Sequence, residues 1–462
     1  MRCSMEKMSW EKLLSRKRFC VAKNDSSDAT NRSVFEADIQ RIIFSGAFRR
    51  LNKKTQVHPL IANDHVHTRL THSIEVSQVG KILGKTLGEK ISLPNGYTSF
   101  DLGSIVEAAC LAHDLGNPPF GHAGEEAMKH WFENNESKFF KELSGDQKKD
   151  LFNFEGNAQG FRIITQTENY LFHGGMRLTY ATLASFMKYP WTSQKGIKKF
   201  GAFITEKEIL ESVANEVGLI KKSDIEWARH PLAYLVEAAD DICYGILDLE
   251  DAVELKILKL QDVLDIAMNA FSKEEADTIK KELGPEEDFR VYLSRLRGRV
   301  FEKAISGAID GFLKVQDKIM EGRFEGDVFS ALDGNDRRKT LIRLAKGLAE
   351  KSIYPDAAKV EIELGSYTTF DILLKTFCEA ALENCQHIGD PGKNKLGWKS
   401  GLVLKMLGNH APRKGNEPKE KDWDKYQCVR RSIDFISGMT DNYAVYVADQ
   451  LQGTSQSNKF RY

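Results

Sequence analysis

The 462-residue sequence predicts a mainly α-helical protein, and three observations carry that expectation. Apolar residues recur at three- and four-residue steps through most of the chain, the mark of helices with one buried face. Period-two alternation is scarce, and FGAFIT (200–205) is the one weak strand candidate. Only 11 prolines are present, so long helices run uninterrupted.

Residues 1–35 read as an N-terminal arm ending in a polar loop, AKNDSSDATNRS. Residues 36–255 read as a helical core containing DIQRIIFSGAFRRL, THSIEVSQVGKILGKTLGEKI, SIVEAACLAHD and HPLAYLVEAADDICYGILDLEDAVEL. Within it, the charged stretch 133–150 reads as a surface helix or loop. From 256 to 462 the pattern becomes amphipathic helix without clustered histidines, as in FRVYLSRLRGRVFEKAISGAIDGFLKVQDKIM. This region is expected to pack on the core and to contribute to oligomer contacts.

Composition narrows the class. The chain is 41% hydrophobic and 29% charged, with 66 basic residues balanced by 66 acidic ones. Zero net charge argues against a protein that coats nucleic acid. Basic clusters at Arg49-Arg50 with Lys53-Lys54, at Lys195 to Lys199 and at Arg413 to Lys421 each read as solvated surface. Seven scattered cysteines without a C-x-x-C pair read as reduced thiols, with Cys110 and Cys243 on apolar helix faces. No apolar run approaches the roughly 20 residues of a membrane span, and the N-terminal stretch has no secretory signature. The cytoplasm is the expected location.

Chemistry concentrates in four residues: His72, the doublet His113-Asp114, and Asp240. Two imidazoles and two carboxylates suit one divalent cation of Mn, Fe, Mg, Ni or Co, with positions left for water or phosphate oxygens. Neighbours on a helix point about 100° apart, which argues against convergence. This doublet, however, precedes Leu115-Gly116-Asn117-Pro118-Pro119, where glycine and two prolines must end the helix.

Three further groups sit at useful spacings. His122 and Glu125 share a helix face if a helix starts there, an acid/base arrangement in which the carboxylate orients the ring. The competing reading is a helix-start glutamate beside an exposed histidine. Arg69, one turn before His72, can offer a bidentate cation to phosphate, or pair with Glu75 or Asp64. Tyr244 and Asp248 follow Asp240 at four-residue steps, fitting a nucleotide sugar, or simple packing and a solvated charge.

The ordered set His72, His113-Asp114, Asp240 resembles the HD superfamily of metal-dependent phosphohydrolases. RIIFSGAFRRLNKKTQV, HTRLTHSIEV, HDLGNPPFGHAGE, FEGNAQGFRI, LTYATLASFMKYP, YLVEAADDICYGILDLEDA and DFISGMTDNYA together resemble bacterial deoxyguanosine-triphosphate triphosphohydrolases, from about residue 40 to 445. The resemblance implies one metal held by His72, His113, Asp114 and Asp240. It also implies hydrolysis of a deoxynucleoside triphosphate to deoxynucleoside and tripolyphosphate, with His122 and Glu125 as acid/base pair. Arg69 and Lys188 match phosphate-side cations, Gln56 a residue near the deoxyribose 3′-hydroxyl, and Tyr244 and Asp248 the sugar pocket. Asn117 and Asn157 lie within matching motifs. A homohexamer is implied as well, and some members respond to nucleotides or single-stranded DNA, for which the Arg413 to Lys421 loop could serve.

No sequence rule fixes the base, and EIELGSYTTFDILL (361–374) is the stretch expected near it. Two other readings compete: another HD-type nucleotidase or phosphodiesterase, and a nucleic-acid-binding protein with a vestigial site. The intact ligand set and acid/base pair argue against the second, since a binding module has no need of them.

Overall fold

The computed structural model describes residues 7–21, 32–56, 63, 65–168, 173–283, 289–389, 395–408 and 424–454. The Arg413 to Lys421 loop, Asp64 and most of the polar stretch 22–33 lie outside them.

The fold is mainly helical. A short α1 (Trp10–Leu13) precedes α2 (Val34–Ile43), α3 (Gly46–Arg50), α4 (Arg69–Lys90), α5 (Ser99–Ala112) and α6 (His122–Asn134). Next come α7 (Gly145–Phe152), α8 (Gly156–Arg162), α9 (Tyr180–Phe186) and α10 (Lys207–Val217). A small antiparallel pair, β1 (Lys221–Ser223) and β2 (Glu226–Trp227), leads into the long α11 (Pro231–Glu254). Then follow α12 (Leu260–Met268), α13 (Lys273–Leu283), α14 (Phe289–Met320) and α15 (Arg337–Leu348). The chain closes with α16 (Ala357–Gly389), α17 (Trp398–Leu407), α18 (Lys425–Ser437) and α19 (Asp441–Gln452).

Residues 200–205, the weak strand candidate, do not form a strand. Phe200, Ala202 and Phe203 are all fully buried, so the segment has no polar side to alternate with, and Ile204 opens a 3-10 turn. The charged stretch 133–150 holds the end of α6, a π turn (Glu136–Phe140) and the start of α7, and Phe140 within it is fully buried. Two basic residues expected at the surface are elsewhere: Lys54 is 2% exposed, and Lys199 lines the cleft described below.

Local signals explain the helix starts that matter. Thr68 caps α4 and Thr98 caps α5 through reciprocal hydrogen bonds with Thr71 and Asp101. Pro231 occupies the first turn of α11, where its missing N–H costs nothing. Helices α4 and α5 pack with almost no gap because glycines form the contact. A Cβ at Gly80 would stand 2.5 Å from Cys110 Sγ, and one at Gly84 2.6 Å from the Leu102 carbonyl oxygen. That approach brings the N-terminal end of α4 beside the C-terminal end of α5.

The large apolar clusters are both assembled from distant segments. One joins α1, α2, α4, α5 and α9 to α15; the other joins α6, α7 and α16 to α19. Arg162 bridges α8 to α18 by a bidentate pair with Asp434 at 2.8 Å and reaches Glu206 at 2.7 Å, all buried. Among the described residues no helix is long and apolar enough to cross a membrane.

Candidate metal and catalytic centre

His72 sits in the first turn of α4, His113 caps the end of α5, and Asp240 lies midway along α11. Their ligand atoms all lie within 4.8 Å of one another. Asp240 Oδ1 is 3.2 Å from His72 Nε2 and 3.6 Å from His113 Nε2. His113 Nδ1 is 2.6 Å from the Cys110 carbonyl oxygen. A carbonyl can only accept, so Nδ1 carries the proton and Nε2 presents its lone pair. Burial would raise the Asp240 carboxyl, but the His72 hydrogen bond, the adjoining His113 and His72 rings and Lys188 hold it well below the usual range. Two imidazole nitrogens and an ionised carboxylate converging in this way fit a divalent cation.

Asp114 stands beside this trio rather than within the mutually close group. Its Oδ1 is 3.6 Å from His113 Nε2 and accepts from the Asn117 side-chain amide. Its Oδ2 accepts from Arg69 at 2.7 Å. Burial would raise this carboxyl too, yet Arg69, His113 and His72 bring it below its ordinary value. The expected Arg69–Glu75 pair does not form, since Glu75 lies 3.1 Å from His67 and Arg69 turns inward to Asp114, while the Asp64 alternative lies outside the described residues.

Helix α6 starts at His122, and the three-residue spacing puts His122 Nδ1 2.9 Å from Glu125 Oε2. Glu125 is 2% exposed, and its other oxygen accepts from the Gly156 amide at 2.8 Å. Burial opposes its charge, but the His122 hydrogen bond and nearby Lys199 lower its pKa overall. The His122 side chain is 81% exposed, so the pair couples an open ring to a buried, fixed carboxylate.

Both groups border one cleft of about 370 Å³, and Gln56, Arg69, Asn117, Asn157, Lys188 and Tyr244 line it. Gln56 Oε1 is buried there without a hydrogen-bond partner. Lys188 lies 3.2 Å from Glu237, which keeps it charged against the effect of burial. Asp248 is not on the cleft wall. It is 2% exposed with Oδ2 unpartnered, and burial, then Asp251 and Asp240, push its carboxyl well up. Eight residues of helix turn a side chain about 80° away from Asp240, and this offset takes Asp248 beneath the wall.

The cleft also holds residues that the sequence reading passed over: Thr55, Tyr189, Lys199, Tyr354, Lys359 and Glu363. Tyr189 follows Lys188 directly, Lys199 belongs to a visible basic cluster, and Glu363 falls in the stretch expected near the base. Tyr354 and Lys359 carry no local signal. Tyr354 packs 6.3 Å from Tyr244, ring centre to ring centre, and Lys359 lies 4.4 Å over its face. One wall is therefore cationic and another aromatic, which suits a polyanion bearing a flat ring system.

Residues 69–169 match the HD domain family. A Pseudomonas aeruginosa protein named deoxyguanosinetriphosphate triphosphohydrolase-like is 43% identical over 457 residues, covering 97% of this chain and 99% of that protein. Proteins of the same name from Synechocystis and Listeria monocytogenes are 36% and 33% identical, each over 97% of this chain and all of their own length.

Proposed function

Since the chain belongs to the deoxyguanosinetriphosphate triphosphohydrolase-like family of HD-domain proteins, we propose that it hydrolyses dGTP, and other deoxynucleoside triphosphates to a lesser or equal extent, to the deoxynucleoside and inorganic tripolyphosphate. The observation that carries this reading is the shared cleft, which joins a divalent-cation donor set, the His122–Glu125 pair and lysine and arginine side chains.

His72, His113 and Asp240, with Asp114 beside them, would hold the cation, whether Mn, Mg, Fe, Ni or Co. When bound, it supplies Lewis-acid polarisation of a phosphoryl oxygen and eases ionisation of water. Water attacks the α-phosphorus, the bond to the 5′-oxygen breaks, and tripolyphosphate leaves with the new oxygen. His122 exchanges the proton, either giving it to the 5′-oxygen or taking it from water, while Glu125 fixes the ring. Arg69 and Lys188 neutralise phosphate charge as it builds. Asn117 holds Asp114, and Asn157 borders the phosphates. The unpartnered Gln56 oxygen offers an acceptor to a 3′-hydroxyl, and Tyr244 crowds the 2′ position against ribose. Asp248 supports this sugar wall from beneath. We extend the reading to a homo-oligomer, with a hexamer as the family-based expectation, open to nucleotide or single-stranded DNA effectors.

The test is product analysis by ion-exchange chromatography with each of the four dNTPs and GTP, in Mn²⁺ or Mg²⁺. Intact tripolyphosphate and deoxyguanosine from dGTP alone support the full reading. Tripolyphosphate from all four keeps the reaction and removes the base preference. Orthophosphate or pyrophosphate as the product would make it a different HD-type nucleotidase or phosphodiesterase.

A further inference from the structure

Asp441 belongs to the last described helix, 319 positions after His122, yet its carboxylate is spent on the loops around the cleft. Oδ1 accepts from the Phe120 amide at 3.0 Å. Oδ2 accepts from the Thr55 amide at 2.9 Å and the Thr55 hydroxyl at 3.0 Å. An aspartate in the first turn of a helix is ordinarily explained by the helix's own N–H groups. Here Thr440 supplies that cap, accepting from the Tyr443 amide, and Asp441 points its oxygens elsewhere at 2% exposure.

The turn it grips is an unusual one. Phe120 has φ +62° and Gly121 φ +57°, two successive residues in the left-handed region, which a bulky side chain such as phenylalanine avoids. A Cβ at Gly121 would also stand 2.6 Å from an Arg69 guanidinium nitrogen, so any other residue there would push the Arg69 head group aside. Such backbone persists only where the surroundings over-determine it, and it is enriched at functional sites. The other end of the turn is held by Lys54, whose ammonium donates to the Asn117 carbonyl at 2.5 Å and the Ser437 carbonyl at 2.7 Å. His122 follows this turn directly, and Gln56 follows Thr55.

We propose that Asp441 is a positioning residue, which with Lys54 locks the 117–121 turn so that His122 faces the metal donors and Gln56 the sugar. This rests on the reading of His122 as the acid/base group. The C-terminal helices thereby become part of the catalytic apparatus without touching substrate.

A double-mutant cycle on the full-length, Mn²⁺-loaded protein tests this, with turnover of dGTP counted per metal-bound site. D441A should lower kcat by a factor on the order of 10² in the wild-type background, as misplacement of a catalytic group does. In the H122A background the same change should cost less than about threefold, because the two residues act as one unit. D441N keeps a single acceptor, folds under milder perturbation, and should fall between. Equal losses in both backgrounds would overturn the proposal. A second arm needs no activity: by hydrogen-exchange mass spectrometry, D441A or D441N should speed exchange in 117–125 and leave 99–112 unchanged. Unchanged exchange in 117–125 overturns the clamp. A wild-type protein that releases no tripolyphosphate from any dNTP sinks the functional reading alone, and the exchange arm still decides the clamp.

Discussion

Arg69 and Asp114 form a buried ion pair, with the guanidinium donating to Oδ2 at 2.7 Å and both side chains about 10% exposed or less. The pair joins the start of α4 to the residue after His113. It fixes which Asp114 oxygen faces the metal donors, while Arg69 also lines the cleft. One residue thus borders both the candidate metal donors and the open cleft.

Arg69→Lys should therefore harm two properties at once. Lysine cannot span Asp114 and a phosphate with a planar fork. Mn²⁺ affinity should drop by about 10–100-fold, the usual cost of losing an outer-shell partner. KM for dGTP should rise as well. Titration calorimetry and steady-state kinetics check this, and a variant with wild-type Mn²⁺ affinity would show that Arg69 does not orient Asp114.

His113→Ala should abolish metal retention and turnover while leaving helical content intact. His113 sits at the end of α5, and the helix keeps its apolar contacts without the ring. Metal analysis after gel filtration, paired with far-UV circular dichroism, reads both. Full metal occupancy in this variant would remove His113 from the ligand set.

His122→Ala should keep the metal and lower kcat by about 10²–10⁴, the range for a general acid or base. Although the His122 side chain is 81% exposed, it bonds the buried Glu125 carboxylate, so its loss should also cost about 1–3 kcal/mol of stability. Single-turnover kinetics and a thermal melt measure the two effects. Wild-type turnover would falsify the assigned role.

Two histidines should shape stability against pH in opposite senses. His67 lies 2.7 Å from Asp251 and 3.1 Å from Glu75; burial opposes its charge, but these partners raise its pKa to about 10. Its contribution is full below the unfolded value of about 6.5 and is lost as pH rises toward 10. His230 is fully buried, and burial lowers its pKa to about 4. Its contribution is present above about 6.5 and is lost as pH falls toward 4. Urea midpoints from pH 4 to 10 should lose part of their alkaline slope in His67→Gln. An unchanged slope would mean that the His67 pairs do not form in solution.

Arg162→Ala should destabilise the fold by about 3–5 kcal/mol, since it takes the bonded guanidinium from the buried carboxylates of Asp434 and Glu206. Equilibrium unfolding in urea checks the size. A loss below 1 kcal/mol would show that the bridge between α8 and α18 is not a structural tie.

What the sequence determined by itself was everything carried by short-range spacing. Three-residue steps gave the His122–Glu125 pair, Gly116 and the two prolines ended α5 at the His113-Asp114 doublet, and apolar periodicity gave the helices. These depend only on a helix's fixed rise and rotation, which hold whatever packs around it. The same regularity misleads over longer runs: from Asp240 to Asp248 the small offset per turn accumulates, and Asp248 leaves the cleft face. Tertiary packing alone decided the rest. Lys54 and Lys199 look like any surface lysine in sequence, and nothing near Asp441 says that it grips Phe120 and Thr55. Tyr354 and Lys359 reach the cleft only because α16 and the turn before it fold back onto it. Burial and pairing between residues hundreds of positions apart arise from how the two apolar clusters meet, and no local pattern encodes that meeting.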